Sequence, residues 1–187
     1  MTVECADRAI LDAADDLFYA RGLAVVTMSD VRDASGVSLR RLYSIYPSKA
    51  DLVDGWLRDR HATWMRWFVD AVDRLAKRGK SSLVATFDAL AEWASEPGYR
   101  GCAFLNSIGE TSEIDDRHRE IVADHKRQLV AHLGSLATRD HPGSSKWLPH
   151  AIGVLVDGAI VQSVVFGGVE PIRAARVAAQ HLVRSAQ

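Results

Sequence analysis

Between Thr27 and Lys49, residues that start and stop helices fall so close together that the chain has room only for two short helices and the beginning of a third. Thr27 is placed to cap a helix whose inward positions are Met28, Val31 and Ala34. Gly36 follows where a left-handed residue ends that helix and turns the chain. Ser38 then caps a second helix, with Leu42 and either Ile45 or Tyr46 on its inner side. Pro47 stops it, and Ser48 caps a third through Lys49, Ala50 and Asp51. Two short helices joined by a tight glycine turn make a helix-turn-helix, whose second helix is the one that enters a DNA major groove.

The same stretch resembles the DNA-binding domain of the TetR (tetracycline-repressor) family of one-component bacterial regulators. The family run Thr-x-x-x-Ile-Ala-x-x-Ala-Gly-Val-Ser-x-Gly-x-Leu-Tyr-x-His-Phe-x-Ser-Lys is matched at Thr27, Val31, Gly36, Val37, Ser38, Leu42, Tyr43, Ser48 and Lys49. Residues 13–22 are similar to the end of the family's first helix. Arg40 stands where the family has a small residue, Ile45 replaces its His and Tyr46 its Phe, and Arg32 and Ser35 replace alanines. The resemblance implies that Tyr43 and Lys49 meet phosphate oxygens. Arg40 and Arg41, in the first turn of the recognition helix, are the expected readers of base edges, since arginine pairs bidentately with guanine O6 and N7. Thr27 and Ser38 offer hydroxyls and helix N-termini to phosphate, and Leu39 and Ser44 are placed to touch bases.

With 187 residues the chain suffices for a substantial core, and 48% hydrophobic and 25% charged residues are ordinary for a globular protein. A net charge of -1 carries no global signal for nucleic acid. The signal is local, because Arg40, Arg41 and Lys49 cluster with no acid from Ser38 to Lys49. Acids gather instead at Asp7, Asp12, Asp15 and Asp16. With so few cations, DNA binding calls for a dimer that doubles them.

The remaining spacing predicts an all-α fold. A first helix runs from Val3 to Arg21 with Ala6, Ile10, Ala13, Ala14, Leu17 and Phe18 on one face, and Val25 and Val26 fill the space among the first three helices. From Ser48 to Arg78, Val53, Leu57, Trp64, Phe68, Ala71 and Leu75 mark a helix roughly 45 Å long that leads from head to body. Residues 77–80 read as a loop, and Ser81 or Ser82 caps a helix with Leu83, Phe87, Leu90 and Ala94 inward. Later helices are expected from Gly101 to about Ser112, Asp115 to Thr138, Trp147 to Phe166 and Pro171 to Ala186. The run Gly101-Cys102-Ala103-Phe104-Leu105-Asn106, with Glu110 four residues on, also looks like a segment of many C-terminal domains of the family. The division implied is residues 1–48 for DNA binding and residues 49–187 for ligand binding and dimerisation.

Enzyme-like patterns are few. His118, His125 and His132 recur every seven residues, about 10.5 Å of helical rise, too far for two imidazoles to share one metal. Cys5 and Cys102 match no metal or redox spacing and suit a reducing cytoplasm. Cys102 sits at a helix start, where thiols gain reactivity, yet burial as a small hydrophobe is the simpler role. No Ser-x-x-Lys, Gly-x-Ser-x-Gly or P-loop pattern is present, so neither catalysis, metal nor cofactor is expected.

Trp64, Trp67, Phe68, Phe87, Trp93 and Phe104 concentrate in the middle helices. They form either a rich core or the lining of an apolar cavity. In the second case Trp64, Phe68, Trp93, Phe104, Asn106 and His125 hold the ligand that the resemblance implies, a small apolar effector. Residues 151–166 are apolar nearly all round, shorter than the ~18–20 residues of a membrane span, and interrupted by Asp157 and Gln162. No membrane segment and no signal peptide are expected. Together with Ile172, Ala175, Ala179 and Leu182, this stretch is the expected four-helix interface of a homodimer. The overall expectation is a dimeric repressor of a near-palindromic operator; the rival is a helical enzyme or carrier using the aromatic pocket.

Overall fold

The computed structural model describes residues 2–76, 81–110 and 116–186. Among them the secondary structure is helical throughout: α1 (Val3–Arg21), α2 (Met28–Ser35), α3 (Leu39–Ile45), α4 (Lys49–Ala76), α5 (Ser82–Ala94), α6 (Ala103–Glu110), α7 (Asp116–Asp140), α8 (Leu148–Phe166) and α9 (Glu170–Ser185). The all-α expectation holds. The loop expected at 77–80 and the end of the α6 segment near Ser112 lie outside the described residues.

Packing divides the chain into two compact units. The first comprises α1, α2, α3, α4 as far as Thr63, α6, and α7 as far as Ala123. The second comprises α4 from Trp64, α5, α7 from Asp124, α8 and α9. Both α4 and α7 pass from one unit into the other as unbroken helices.

In the first unit, local capping sets the boundaries. Thr2 accepts the Cys5 N–H at 3.2 Å, and Gly22, at φ 86, ends α1 with its N–H on the Phe18 carbonyl. Thr27 and Asp30 form a reciprocal capping box at the start of α2, and Gly36, at φ 67, takes the left-handed conformation that a Cβ would oppose. Ser38 caps α3 through the Arg41 N–H, and Ser48 caps α4 through the Asp51 N–H. The core is Ala6, Ile10, Ala14, Phe18, Val26, Val31, Leu42, Leu52 and Leu57. Three expectations change here. Val26 is buried but Val25 is 59% exposed, Ala34 faces solvent, and Leu17 is only half-buried while Leu11 joins the core. A 3.6-residue period specifies a stripe but leaves its width open, and Leu11, Leu17 and Ala34 are residues at its margin, whereas Val25 lies in the turn between α1 and α2, where no helical period applies.

Acids of α1 tie helices together. Tyr46 donates to Asp7 at 2.6 Å, Trp56 Nε1 donates to Asp15 at 2.6 Å, and Arg60 pairs with Asp15. Tyr46 is thereby an interior strut. Burial and the Asp7 carboxylate both push its phenol well above the usual range. Its ring also accounts for Gly55 within α4, since a Cβ there would come within 2.6 Å of the ring edge. Tyr46→Phe keeps the ring and leaves the Asp7 acceptor unpaired; a loss of about 1.5–3 kcal/mol in urea unfolding is expected.

In the second unit, α9 packs on α8 and α5, and α8 on α5. Phe68, Val72, Leu83, Phe87, Leu90, Leu129, Leu133, Ile152 and Val156 are its fully or almost fully buried centre. Neither Ser81 nor Ser82 caps α5 with its hydroxyl. The Ser82 N–H is instead taken by the Asp140 carboxylate at 2.6 Å, from the far end of α7. Ile172, Ala175 and Ala179, expected at a dimer interface, are buried inside this unit, and Leu182 is half-buried. Helix α8 is 19 residues long, longer than the apolar run read from sequence, and by length and composition it could cross a membrane. One side of it, Ile152, Val156, Ala159 and Ile160, is buried within its own unit. The other carries Val154, Val161, Val164, Val165 and Phe166, each at least 49% exposed, with Val177 of α9 also exposed.

Candidate nucleic-acid interface and aromatic cluster

Helix α3 lies between its Ser38 cap and Tyr46, whose N–H closes on the Leu42 carbonyl. Leu42 alone is fully buried, so the helix is anchored by one side and shows the rest outward. Arg40 and Ser44 are exposed, Arg41 and Leu39 are half-buried, and Tyr43 is 44% exposed. No carboxylate pairs with Arg40 or Arg41 among the described residues. The two guanidinium groups are therefore uncommitted among those residues, whereas Arg8 of α1, Arg60 and Arg74 of α4, and Arg117 and Arg139 of α7 each pair with Asp or Glu. Ser44 is turned inward along the helix, donating to the Arg41 carbonyl at 2.7 Å.

Thr27 donates to Asp30 at 2.6 Å and accepts its N–H at 3.2 Å, so its hydroxyl is engaged in the cap. Those bonds hold the Asp30 carboxyl below its ordinary value of 3.8. A depressed carboxyl contributes stability that is complete above that value and is lost as pH falls through the folded pKa. Urea unfolding of the wild type should therefore become easier below about pH 4 by more than that of Asp30→Asn. Equal pH slopes in the two proteins would contradict the role given to this cap. Lys49 is engaged too: its Nζ donates to the Leu23 carbonyl, and burial lowers its pKa against the attraction of Asp30 and Glu110.

In the second unit an aromatic cluster forms around Trp64. Its ring stacks on Phe68 at 4.8 Å and meets Trp93 edge-on at 5.6 Å and His125 at 5.6 Å. Trp93 continues to Tyr99 at 4.9 Å, and Phe68 to His132 at 6.0 Å. Four of the expected ligand residues thus stand together. Phe104 belongs to the first unit, where its ring meets His61 at 6.4 Å, and Asn106 is an exposed residue of that unit. Tyr99 and His132 join the cluster without having been singled out for it. Tyr99 sits in a glycine-proline loop with no periodicity, and His132 shares its seven-residue spacing with two other histidines, which by itself does not tell a pocket-lining ring from a core one. Among the described residues, the indole Nε1 of Trp64 and Nε2 of His132 are buried without a hydrogen-bond partner. Desolvation lowers the His132 pKa below its ordinary value of 6.5.

A separate buried group has the composition of a hydrolase relay. Ser107 Oγ lies 3.1 Å from His118 Nε2, and His118 Nδ1 lies 3.7 Å from Asp54. Its geometry argues otherwise. Ser107 is 1% exposed and gives its proton to the Phe104 carbonyl at 2.8 Å, so the oxygen is an acceptor tie between α6 and α7. Three residues so far apart in sequence leave no motif to read. Cys102 is buried with Lys126 Nζ 3.7 Å from its sulfur, and Lys126 pairs with Asp157 at 2.6 Å. Among the described residues no group of three or more His, Cys, Asp and Glu is arranged to hold a metal ion.

Comparison with known proteins agrees with the head's geometry. Residues 10–55 match the family described as "Bacterial regulatory proteins, tetR family". The chain is 37% identical to the HTH-type transcriptional regulator TtgR of Pseudomonas putida, over 81% of this chain and 76% of that protein, and equally to the probable HTH-type transcriptional regulator ArpR of the same species. In fold it is similar to a TetR-family transcriptional regulator from Streptomyces coelicolor, with TM-score 0.81 and 21% identity over 98% of this chain and 96% of that one. The multidrug binding protein EbrR, solved with malachite green, shares the fold at TM-score 0.72 and 18% identity, over 94% and 96% of the two chains.

Proposed function

Because this chain belongs to the TetR family of DNA-binding transcriptional regulators, we propose that it is a repressor that binds a near-palindromic operator as a homodimer and is released by a small apolar effector. The uncommitted pair Arg40 and Arg41 on α3 carries the DNA half of the reading. Leu39, Tyr43 and Ser44 flank them; Thr27 and Ser38 offer helix N-termini to phosphate, and Lys49, tied to the Leu23 carbonyl, adds its charge at the start of α4. Residues 1–48, joined by Lys49, supply this contact, and the remainder of residues 49–187 holds the effector and the partner copy. The reading is of a cytoplasmic binding protein without catalysis or cofactor.

The partner copy covers the outward side of α8. Val154, Val161 and Val165 form a stripe at helical spacing, and Val177 of α9 extends the apolar area. Homodimerisation accounts for that surface through the same closed symmetry that makes the operator palindromic.

The effector reading rests on the cluster of Trp64, Phe68, Trp93 and His125. Its rings are aromatic, and Trp64 Nε1, buried without a hydrogen-bond partner among the described residues, is a donor suited to a ligand acceptor. An apolar aromatic compound carrying one or two hydrogen-bonding groups fits this chemistry. The malachite green complex of EbrR shows an aromatic guest in a protein of like fold. Tenfold release from the operator needs about 1.4 kcal/mol of preference for the non-binding state. Apolar aromatic compounds that quench tryptophan fluorescence should also weaken operator binding. A compound that quenches while operator affinity stays constant would break the link between cluster and head.

The whole reading is tested by selecting fragments of genomic DNA with the purified protein and footprinting them. Sequence-selective, salt-dependent protection of two half-sites in successive major grooves is expected. Recovery of no selective sequence would refute it.

A further inference from the structure

Glu110 closes α6, in a sequence run that neither DNA contact nor effector binding uses. Its carboxylate reaches the turn between α1 and α2, where it accepts the backbone N–H of Leu23. It also fills the space beside Gly22, since a Cβ on that glycine would lie 2.8 Å from Glu110 Oε2. Lys49 Nζ holds the carbonyl of the same Leu23. Both backbone groups of one residue are thus bound by charged side chains, one from α6 and one from the start of α4.

Leu23 needs such partners for a physical reason. Gly22 ends α1 by giving its N–H to Phe18, so the next amide has no place in the helical ladder. The side chain of Leu23 is 4% exposed, which holds its backbone against the core. An unpaired amide there would carry a desolvation cost. Glu110 removes that cost with a charge-assisted bond. A second strap lies close by in sequence: Arg117, in the first turn of α7, donates to Asp51 at 2.9 Å and pairs with buried Asp54, both on α4. The segments on either side of residues 111–115 therefore both hold parts of the first unit, α6 the α1–α2 turn and α7 the start of α4.

We infer that Glu110 is a positioning residue of the DNA-binding head, setting the α1–α2 turn and through it the bearing of α2 and α3 on the operator. The inference rests on the reading of α3 as the recognition helix. Glu110 touches no DNA; it acts through Leu23.

The test uses the full-length protein and the operator fragment selected by the wild type. Glu110→Ala should bind that operator about tenfold more weakly. Its salt slope should be unchanged, because no phosphate contact is removed. Its dimer should be intact, and hydrogen exchange at the Leu23 amide should be accelerated. Glu110→Gln retains a side-chain carbonyl that can accept the same N–H and should recover most of the lost affinity. Tighter binding by both variants would mean that the carboxylate merely repels DNA, and would overturn the inference. So would wild-type affinity in Glu110→Ala, or a loss shared equally by Ala and Gln. Unchanged exchange at Leu23 would do the same without reference to DNA. A wild type that selects no DNA removes the recognition-helix reading itself, and this inference with it.

Discussion

Placing a carboxylate on the outward stripe of α8, as in Val161→Asp with Val165→Asp, is expected to yield a monomer that retains its helical content but no longer holds the operator. The two positions are 49% and 68% exposed, so the charge costs little within one chain. In a homodimer sealed along this stripe the charges of two copies would meet in an apolar seam, where each loses its hydration without gaining a partner. Loss of the second head removes the linked binding event, and operator affinity should fall by about 10²-fold or more. Sedimentation at micromolar concentration reads the first effect and a gel shift the second. A variant that remains dimeric and operator-competent would place the partner copy elsewhere, and membrane association of the wild type would give the α8 stripe a different neighbour.

Arg40→Ala and Arg41→Ala should produce the other large effect, of a different kind. Each guanidinium stands in the first turn of α3 without an ion-pair partner among the described residues, so its removal orphans none of their carboxylates and should leave the fold undisturbed. At least one of the two should lose about 1–3 kcal/mol of discrimination at a single base position, repeated in both half-sites by symmetry. Binding to mismatched DNA should change far less. Lys49→Ala differs in kind: it removes a positive charge from the head and also releases the Leu23 carbonyl, so affinity should fall for every sequence alike, and a salt slope reduced by about one would mark a lost phosphate contact beyond the loosened turn. Full selectivity in both arginine variants would mean that another face of the head reads the operator.

The head was legible because its signals are local. Thr27 with Asp30, Gly36, Ser38 and Ser48 each act on backbone groups within four residues, so the helix boundaries follow from neighbours that never leave the sequence window. The body was legible in outline for the same reason: α8 and α9 begin and end close to the residues where their breakers stand.

What the chain determined by itself was therefore the set of helices, the turn that joins α2 to α3, and the stripe each helix had to bury. Tertiary structure decided which apolar residues that stripe really used. Helical period says which side chains share a face, but an all-round apolar helix such as α8 has several faces to offer. Its own α5 and α9 chose one and left Val154, Val161 and Val165 outside, while taking Ile172, Ala175 and Ala179 in. Tertiary structure also decided the polar ties. Tyr46 to Asp7, Ser82 to Asp140, Ser107 to His118 and Glu110 to Leu23 join residues 11 to 87 positions apart on different helices or turns. A hydrogen bond depends on two atoms meeting within a few tenths of an ångström, and no periodicity in either partner's neighbourhood records that meeting.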